Sequence, residues 1–342
     1  MLGLPWSGVT TTLRCLAGSA VAADAGQGVA DVRDPRLAEL ARVSKSKRVV
    51  AATLEVADLT KLVRGAKRGE GLGNELLAHM RTTDALLLVV RCFTDEQVPH
   101  AGGRVDPVDD AETVELELVF ADQAVVERRL QRVAKTAKSG DKTAVAEREQ
   151  LERLAAALEE GRPARALGEQ LPDALDLLTA KPALYVANVD ESGNADSVER
   201  LRAFGAERGI QTIALNAKLE AEIAELDSAD RQAFLDDLGI EQAALDLVSL
   251  AAYAALDLIP FFTSGEKETR AWTIRRGQNA QEAAGKIHTD LARGFIRAEV
   301  IEWDKLVEAG GEAEAKRRGW LRVEGRDYVV KDGDVLNVRF NV

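Results

Sequence analysis

Apolar and polar positions along this chain follow two different rhythms. Residues 49–56 (VVAATLEV), 85–93 (ALLLVVRCF), 183–188 (ALYVAN) and 212–215 (TIAL) are short runs, rich in apolar and β-branched residues, that lead into polar ones. The second is nearly unbroken, as a strand covered on both faces requires. Helical stretches separate the runs. Strands that alternate with helices predict a parallel α/β sheet, whose ligands lie beyond the carboxyl ends of the strands.

Between the runs at 85–93 and 183–188, residues 111–161 are charged and helical. Val125, Val126, Leu130 and Val133, then Leu151, Leu154 and Leu158, recur at three- and four-residue steps. Lys138-Ser139-Gly140-Asp141-Lys142 interrupts the pattern, so the segment reads as an antiparallel helical hairpin projecting as a coiled-coil arm. The apolar stripe is narrow, and both a spacer and a contact surface remain open as its role. Residues 217–256 are helical again. From residue 259 onward come short elements: a strand at 271–274, a turn at Arg275-Arg276-Gly277, a helix over 280–287 and a strand over 294–301. Two closing strands, 328–330 and 335–340, flank Lys331-Asp332-Gly333-Asp334, whose Asp-Gly step is a hairpin signal. A compact α+β module of this kind is similar to a β-grasp fold.

Length and composition narrow the function classes. With 342 residues, 46% hydrophobic and 30% charged, the chain has the composition of a soluble globular protein with room for two or three domains. A net charge of -12 argues against broad, non-specific nucleic-acid binding, and hence against a DNA partner, but leaves room for a local basic patch. The two cysteines, Cys15 and Cys92, are not in metal-type spacing and fit a reducing compartment. No apolar run reaches 18 residues, and no basic region followed by a hydrophobic segment opens the chain. The expectation is a cytoplasmic protein with no membrane partner.

The chemistry-bearing motifs begin at once. Gly3-Leu4-Pro5-Trp6-Ser7-Gly8-Val9-Thr10-Thr11 has the spacing of a phosphate-binding loop, with Val9 where the lysine belongs. Asp58-Leu59-Thr60-Lys61 follows a strand, where D-x-x-G would stand in a P-loop GTPase. Residues 64–74 carry the glycine-rich run GEGLGN. Asn188-Val189-Asp190-Glu191 occupies the place of the base-reading N-K-x-D, and Asn216-Ala217-Lys218 that of S-A-K. Arg91-Cys92-Phe93 leads on to Gly103-Arg104-Val105-Asp106-Pro107, and RGFIRAEV and DGDV-x-x-x-RFNV close the chain.

Taken together, and in this order over essentially the whole chain, these segments resemble the YchF/Obg-like ATPase family. The resemblance implies a P-loop NTPase parallel sheet interrupted by an antiparallel coiled-coil arm and followed by a C-terminal β-grasp (TGS) domain. The division is then 1–118 and 176–257 for the nucleotide domain and its helical linker, 119–175 for the arm and 258–342 for the TGS domain. It implies ATP and Mg²⁺ as cofactors. Gly3, Ser7, Gly8, Val9, Thr10, Thr11 and Asp58 would form the phosphate end, with Thr10 and Asp58 at the metal. Asn188, Val189, Glu191, Asn216, Ala217 and Lys218 would form the base pocket, and the altered N-x-x-E loop would favour adenine. Leu62 stands where Ras-like enzymes carry the water-orienting glutamine. His100, on a loop, is the candidate to position that water. His79 and His288 read as surface or packing residues. A ribosome or ribosomal RNA is the partner implied, through the TGS domain and the arm. Arg275, Arg276, Arg293, Arg297, Lys316, Arg317 and Arg318 would supply a basic face.

The chain departs from the family at the phosphate end. Val9 removes a positive charge, and charge-assisted contacts are worth about 1.5–3 kcal/mol each. Lys61 replaces the glycine of D-x-x-G, residues 20–32 lack the switch-type threonine motif, Asn216 replaces a serine, and two residues precede Gly3. The expectation is an adenine-nucleotide-binding relative with weakened or lost hydrolysis. A competent ATPase using Lys61 or Arg64 as the substitute cation, and a nucleotide-free scaffold, are the rivals.

Overall fold

The computed structural model describes residues 1–17, 26–59, 74–100, 102–138, 140–168, 171–172, 175–226, 228–237 and 243–341. Lys61, Leu62, Arg64 and the GEGLG run therefore lie outside the described residues, as do residues 20–25 of the segment 20–32. The strands are β1 (Gln27–Val32), β2 (Val49–Val50), β3 (Ala52–Ala57), β4 (Leu86–Arg91), β5 (Ala183–Asn188), β6 (Gln211–Leu215), β7 (Leu258–Ser264), β8 (Thr269–Arg275), β9 (Phe295–Glu302), β10 (Arg322–Glu324) and β11 (Asp334–Phe340). They belong to two units, residues 1–29 with 55–252, and 30–54 with 253–342.

In the first unit β4, β5 and β6 form a parallel sheet in that order. Every residue of β4 and β5 is buried, which explains why both runs are almost purely apolar. Leu2 extends the sheet by a single parallel bridge to Leu88, donating to the Leu87 carbonyl at 2.9 Å and accepting from the Val89 N–H at 2.8 Å. The chain is thus anchored to β4 immediately before the glycine loop.

The long helix Pro107–Ala137 starts where Asp106, in extended conformation, accepts from the Val108 N–H at 3.3 Å and Pro107 takes the first turn. Its early residues Ala111, Val114 and Leu118 pack into the sheet's core with Leu86, Leu88 and Tyr185. From Val119 onward, Val126 and Val133 follow at heptad steps and pack with Leu151, Leu154 and Leu158 of the helix Lys142–Glu159. Gln123 donates to the Leu158 carbonyl at 2.9 Å and Arg129 pairs with Glu147, so the two helices run antiparallel. Buried Asp122 accepts from the N–H groups of Leu178 and Thr179 and from the Thr179 hydroxyl, tying the hairpin to the chain that re-enters at β5. Burial pushes its carboxyl upward, against those bonds.

The run at 49–56 departs from the expectation of a parallel-sheet strand. It divides at Ala51 into β2, which pairs in parallel with β8, and β3, which pairs with β1. Thr53 and Glu55 place polar side chains at alternate positions of β3, and the strand is only half-buried, the pattern of a ribbon rather than of a strand covered on both faces. Residues 30–54 consequently group with the C-terminal residues, not with the rest of 1–118.

The second unit is a mixed sheet ordered β10-β9-β11-β7-β8-β2. The helix Ala280–Ile287 lies over it, started by an Asn279–Glu282 capping box. Ala280, Ala283 and Ala284 pack with Phe261, Ile274, Val300 and Leu336. The expected hairpin of 328–330 with 335–340 does not form. Val329 makes one bridge, to Asn279, and β11 instead pairs antiparallel with β9 and parallel with β7. Asp334 explains this. Its Oδ2 accepts from the Lys331 N–H at 2.9 Å and from the Tyr328 hydroxyl at 2.8 Å, closing the turn on itself and directing β11 into the middle of the sheet.

Asp106 yields a stability prediction. Desolvation raises its carboxyl, but the N–H groups of Asp109 and Val108 and the charges of Arg200 and Arg104 outweigh that and hold it below its ordinary range. Its contribution is then full above the unfolded value of about 3.9 and is lost as pH falls through the lower folded one. Asp106→Ala should cost about 1 kcal/mol in urea unfolding at neutral pH, with a smaller difference between variant and natural chain in acid.

Candidate functional site

The glycine loop occupies the space between the Leu2 bridge and the helix Val9–Ala17. Two of its residues have to be glycine. A Cβ on Gly3 would stand 2.3 Å from the Val89 carbonyl oxygen, and one on Gly8 would stand 2.2 Å from Asn188 Nδ2, where the backbone also has φ +100°. Trp6 has φ +69°, a left-handed conformation that is costly for a bulky side chain.

This loop forms one wall of a cleft of about 990 Å³, lined by residues 3–11, 93–95, Val98, 188–192 and 216–218. The cleft lies at the carboxyl ends of β4, β5 and β6. The free N–H groups of the first helical turn and the positive end of the helix dipole suit an anion. The side chain at the position of the missing lysine is neutral and buried, Val9 being 5% exposed.

Thr10 donates to Asp58 Oδ2 at 2.7 Å, and Asp58 is fully buried. A hydroxyl and a carboxylate in contact are the hard oxygen donors that Mg²⁺ takes, so this pair fits the metal that the family implies. Thr11 lines the cleft and is exposed. Ser7 is buried, and its hydroxyl has no partner among the described residues.

At the base end, Asn188 does something other than reach toward a ligand. Its Nδ2 donates to the Ser7 carbonyl at 2.9 Å and its Oδ1 accepts from the Ala217 N–H at 3.2 Å. The Val189 N–H donates to the Leu215 carbonyl. Asn216 caps the helix Ala217–Glu225, accepting from the N–H groups of Lys218 and Leu219, both at 3.1 Å. Glu191 and Lys218 are solvent-exposed and form an ion pair with each other at 3.8 Å. Asp190 is held well below the usual carboxylate range, first by the Ser192 hydroxyl and then by surrounding N–H donors.

His100 does not join this cleft's lining. Its Nε2 lies 2.9 Å from Asp110 Oδ2, and its Nδ1 accepts from the Gly102 N–H at 3.0 Å, which puts the ring proton on Nε2. Both nitrogens are engaged and the side chain is buried, so in this arrangement the ring holds the 100–110 segment instead of a water molecule. Burial raises the Asp110 carboxyl, and the His100 hydrogen bond opposes that shift. His79 is exposed on the helix Asn74–Arg81, and His288 caps a helix by accepting from the Asp290 N–H.

The residues that sequence reasoning missed are those of the 93–99 loop. Phe93, Thr94, Asp95 and Val98 line the cleft. Arg91, 2% exposed, donates to the carbonyls of Phe93, Asp95, Val98 and Pro99 and stacks 4.4 Å from the Phe93 ring centroid. An arginine closing an otherwise apolar buried strand was the available signal.

The geometry of Asn188 predicts that Asn188→Ala leaves Ser7 and Ala217 without their partner. Unfolding should show a loss of about 1–3 kcal/mol, and any ligand of the cleft should bind more weakly in calorimetry. Gly8→Ala should do the same through backbone strain and the clash with Asn188.

Comparison with known proteins gives one consistent picture. Residues 258–341 match the YchF-GTPase_C family, described as a "Protein of unknown function (DUF933)". A Bacillus subtilis protein named ribosome-binding ATPase YchF is 46% identical over 329 residues, 93% of this chain and 90% of the relative. Its Haemophilus influenzae namesake is 43% identical over 100% of this chain and 98% of that one. The structure of the Schizosaccharomyces pombe YchF GTPase superposes with a TM-score of 0.87 at 29% identity, covering 99% and 96% of the two chains. With identity of this level running almost end to end through both partners, the chain belongs to the YchF family.

Proposed function

We propose that this chain is a ribosome-associated YchF protein that holds adenine nucleotide in the cleft at the carboxyl ends of β4–β6, with a weakened phosphate grip and impaired ATP hydrolysis. The observation that carries it is Val9, a buried neutral side chain at the start of the helix that a triphosphate would face. The loop glycines, the helix terminus and the Thr10–Asp58 pair remain. These support binding of a phosphate and Mg²⁺, while the cation that would stabilise transition-state charge is replaced. Thr10 and Asp58 would hold the metal, whose chemistry is to neutralise charge developing on the phosphates.

The rest of the reading rests on the family. The relatives are named ribosome-binding ATPases. In this reading the hairpin of Pro107–Ala137 and Lys142–Glu159 is the coiled-coil arm, residues 258–342 form the TGS domain, and the protein is cytoplasmic. Among the described residues no helix is long and apolar enough to cross a membrane. The basic face is weaker than its sequence suggests. Arg276 pairs with Asp257, Arg293 with Asp290, Arg317 with Glu314, and Arg318 with Glu314 and Glu308. Ribosome contact is therefore assigned to the TGS domain and the arm, and not to the chain's net charge, which is -12.

Two measurements test this. Val9→Lys should raise ATP affinity or turnover by about tenfold or more, the equivalent of one charge-assisted contact; equal rates in the two proteins refute an impaired site. The natural chain should co-sediment with ribosomes through a sucrose cushion, and its remaining in the supernatant refutes the partner assignment.

A further inference from the structure

One side of the helical hairpin is charged against the trend of the chain. Over residues 123–138 the helix Pro107–Ala137 and the residue after it carry Arg128, Arg129, Arg132, Lys135 and Lys138 against one acidic side chain, Glu127, in a chain whose net charge is -12. The helical period decides where these fall. Val126, Val133 and Ala137 are buried in the seam with the helix Lys142–Glu159. Arg129, at the margin of that seam, is taken up by Glu147. Arg128, Arg132, Lys135 and Lys138 follow at steps of four, three and three, so they face away from the seam, and all four are exposed. Arg128 donates to the Ala124 carbonyl of its own helix, and among the described residues none of the four forms a salt bridge. Arg276, Arg293 and Arg317, by contrast, each have a carboxylate partner. Four like charges along about 15 Å of one helix repel one another. Phe120 lies on the same side, about two turns nearer the helix start, and is 58% exposed, more than any other aromatic ring among the described residues.

We propose that this side of the hairpin is a docking surface for single-stranded RNA, in which Arg128, Arg132, Lys135 and Lys138 track the phosphates of one strand and Phe120 stacks on an unpaired base. The proposal rests on the ribosome-associated reading above and deepens it, by naming the polymer met and the residues that meet it. Charge complementarity carries the first half. Phosphates brought to the row relieve the repulsion among its cations and release counterions from the RNA. The rest of the chain, acidic on balance, opposes adhesion elsewhere and confines the contact to this row. The ring carries the second half. An acidic peptide matches the charges but offers no flat face to Phe120, and a duplex keeps its bases stacked inside. Single-stranded RNA presents phosphates and free base faces together.

Fluorescence anisotropy of the full chain with a labelled single-stranded RNA of about 20 nucleotides tests this, over about 50–200 mM salt. The logarithm of the affinity should fall against the logarithm of the salt concentration with a slope of about -3, the value for four phosphates neutralised on one strand. Arg132→Gln and Lys135→Gln should each reduce that slope by about 0.7, and changing all four basic residues to Gln should abolish the salt-dependent binding. Phe120→Ala should weaken binding by about tenfold at every salt concentration and leave the slope as it is. These are surface changes, so unfolding in urea should match that of the natural chain. Unchanged slope and affinity in the fourfold variant overturn the docking surface. Equal binding of duplex DNA of the same length, or displacement of the RNA by poly-L-glutamate at equal charge, overturns the choice of RNA. Indifference to Phe120→Ala overturns the stacking role. Co-sedimentation with ribosomes separates this proposal from the reading it rests on. A fourfold variant that pellets as well as the natural chain overturns the surface and leaves ribosome association standing. A natural chain that binds the RNA but stays in the supernatant keeps the surface and overturns the ribosome as the source of its RNA.

Discussion

Asn188 is the joint on which the rest of the site depends. It ends β5, and its single amide group accepts from the backbone of one loop and donates to the backbone of another, fixing the glycine loop and the Asn216–Lys218 loop to the same strand. The joint is buried, so both bonds lie where water does not compete and where an unmade partner is costly. The close approach of Gly8 to Asn188 is the other half of the same constraint. The loop sits so tightly on the amide that a methyl group would not fit. Glu191 and Lys218, exposed beside Asn188, line the same cleft.

Around that joint, buried polar groups decide which chain segments surround the cleft. Arg91 gathers four carbonyls of the 93–99 loop under one guanidinium, and the Thr94 N–H reaches Asp190 at 3.3 Å, so this wall is linked to the base loop as well. His100 and Asp110 hold the following segment in the same manner. Asp122 fixes the return of the chain from the helical hairpin to β5. One helix, Pro107–Ala137, contributes its start to the sheet's core and its remainder to the hairpin's core. The hairpin's anchorage and the sheet's packing thus share a rigid element.

The site that results is uneven. In the glycine loop Thr10, hydrogen-bonded to Asp58, directly follows Val9, a buried neutral side chain where the phosphate-loop pattern has lysine. Outside the glycine loop the cleft offers the Phe93 ring and the carboxylates of Asp95, Asp190 and Glu191. Backbone N–H groups suit an anion as long as the loop keeps its shape, which Gly3, Gly8 and the Asn188 amide hold together. Catalysis asks for more, namely positive potential that strengthens as charge develops.

The sequence by itself determined the strands β4, β5 and β6, the helical hairpin, the helix Ala280–Ile287 with its flanking strands, and the position of the glycine loop. Each is a local matter of periodicity, capping or backbone freedom, written in neighbouring residues such as the apolar run of β4 or the Asn279–Glu282 pair. Only the tertiary structure decided the rest. Residues 328–330 look like a strand, yet the pairing of β11 with β9 and β7 is a competition among distant segments, settled by the turn that Asp334 closes. His100 looks like a base on a loop until Asp110, ten residues on and one helical turn into Pro107–Ala137, takes its ring proton as a hydrogen bond. Asn188 reads as a ligand contact until its partners, Ser7 and Ala217, arrive from opposite ends of the domain. Side-chain hydrogen bonds over long sequence separations carry no periodicity, so the fold has to form before they can be seen.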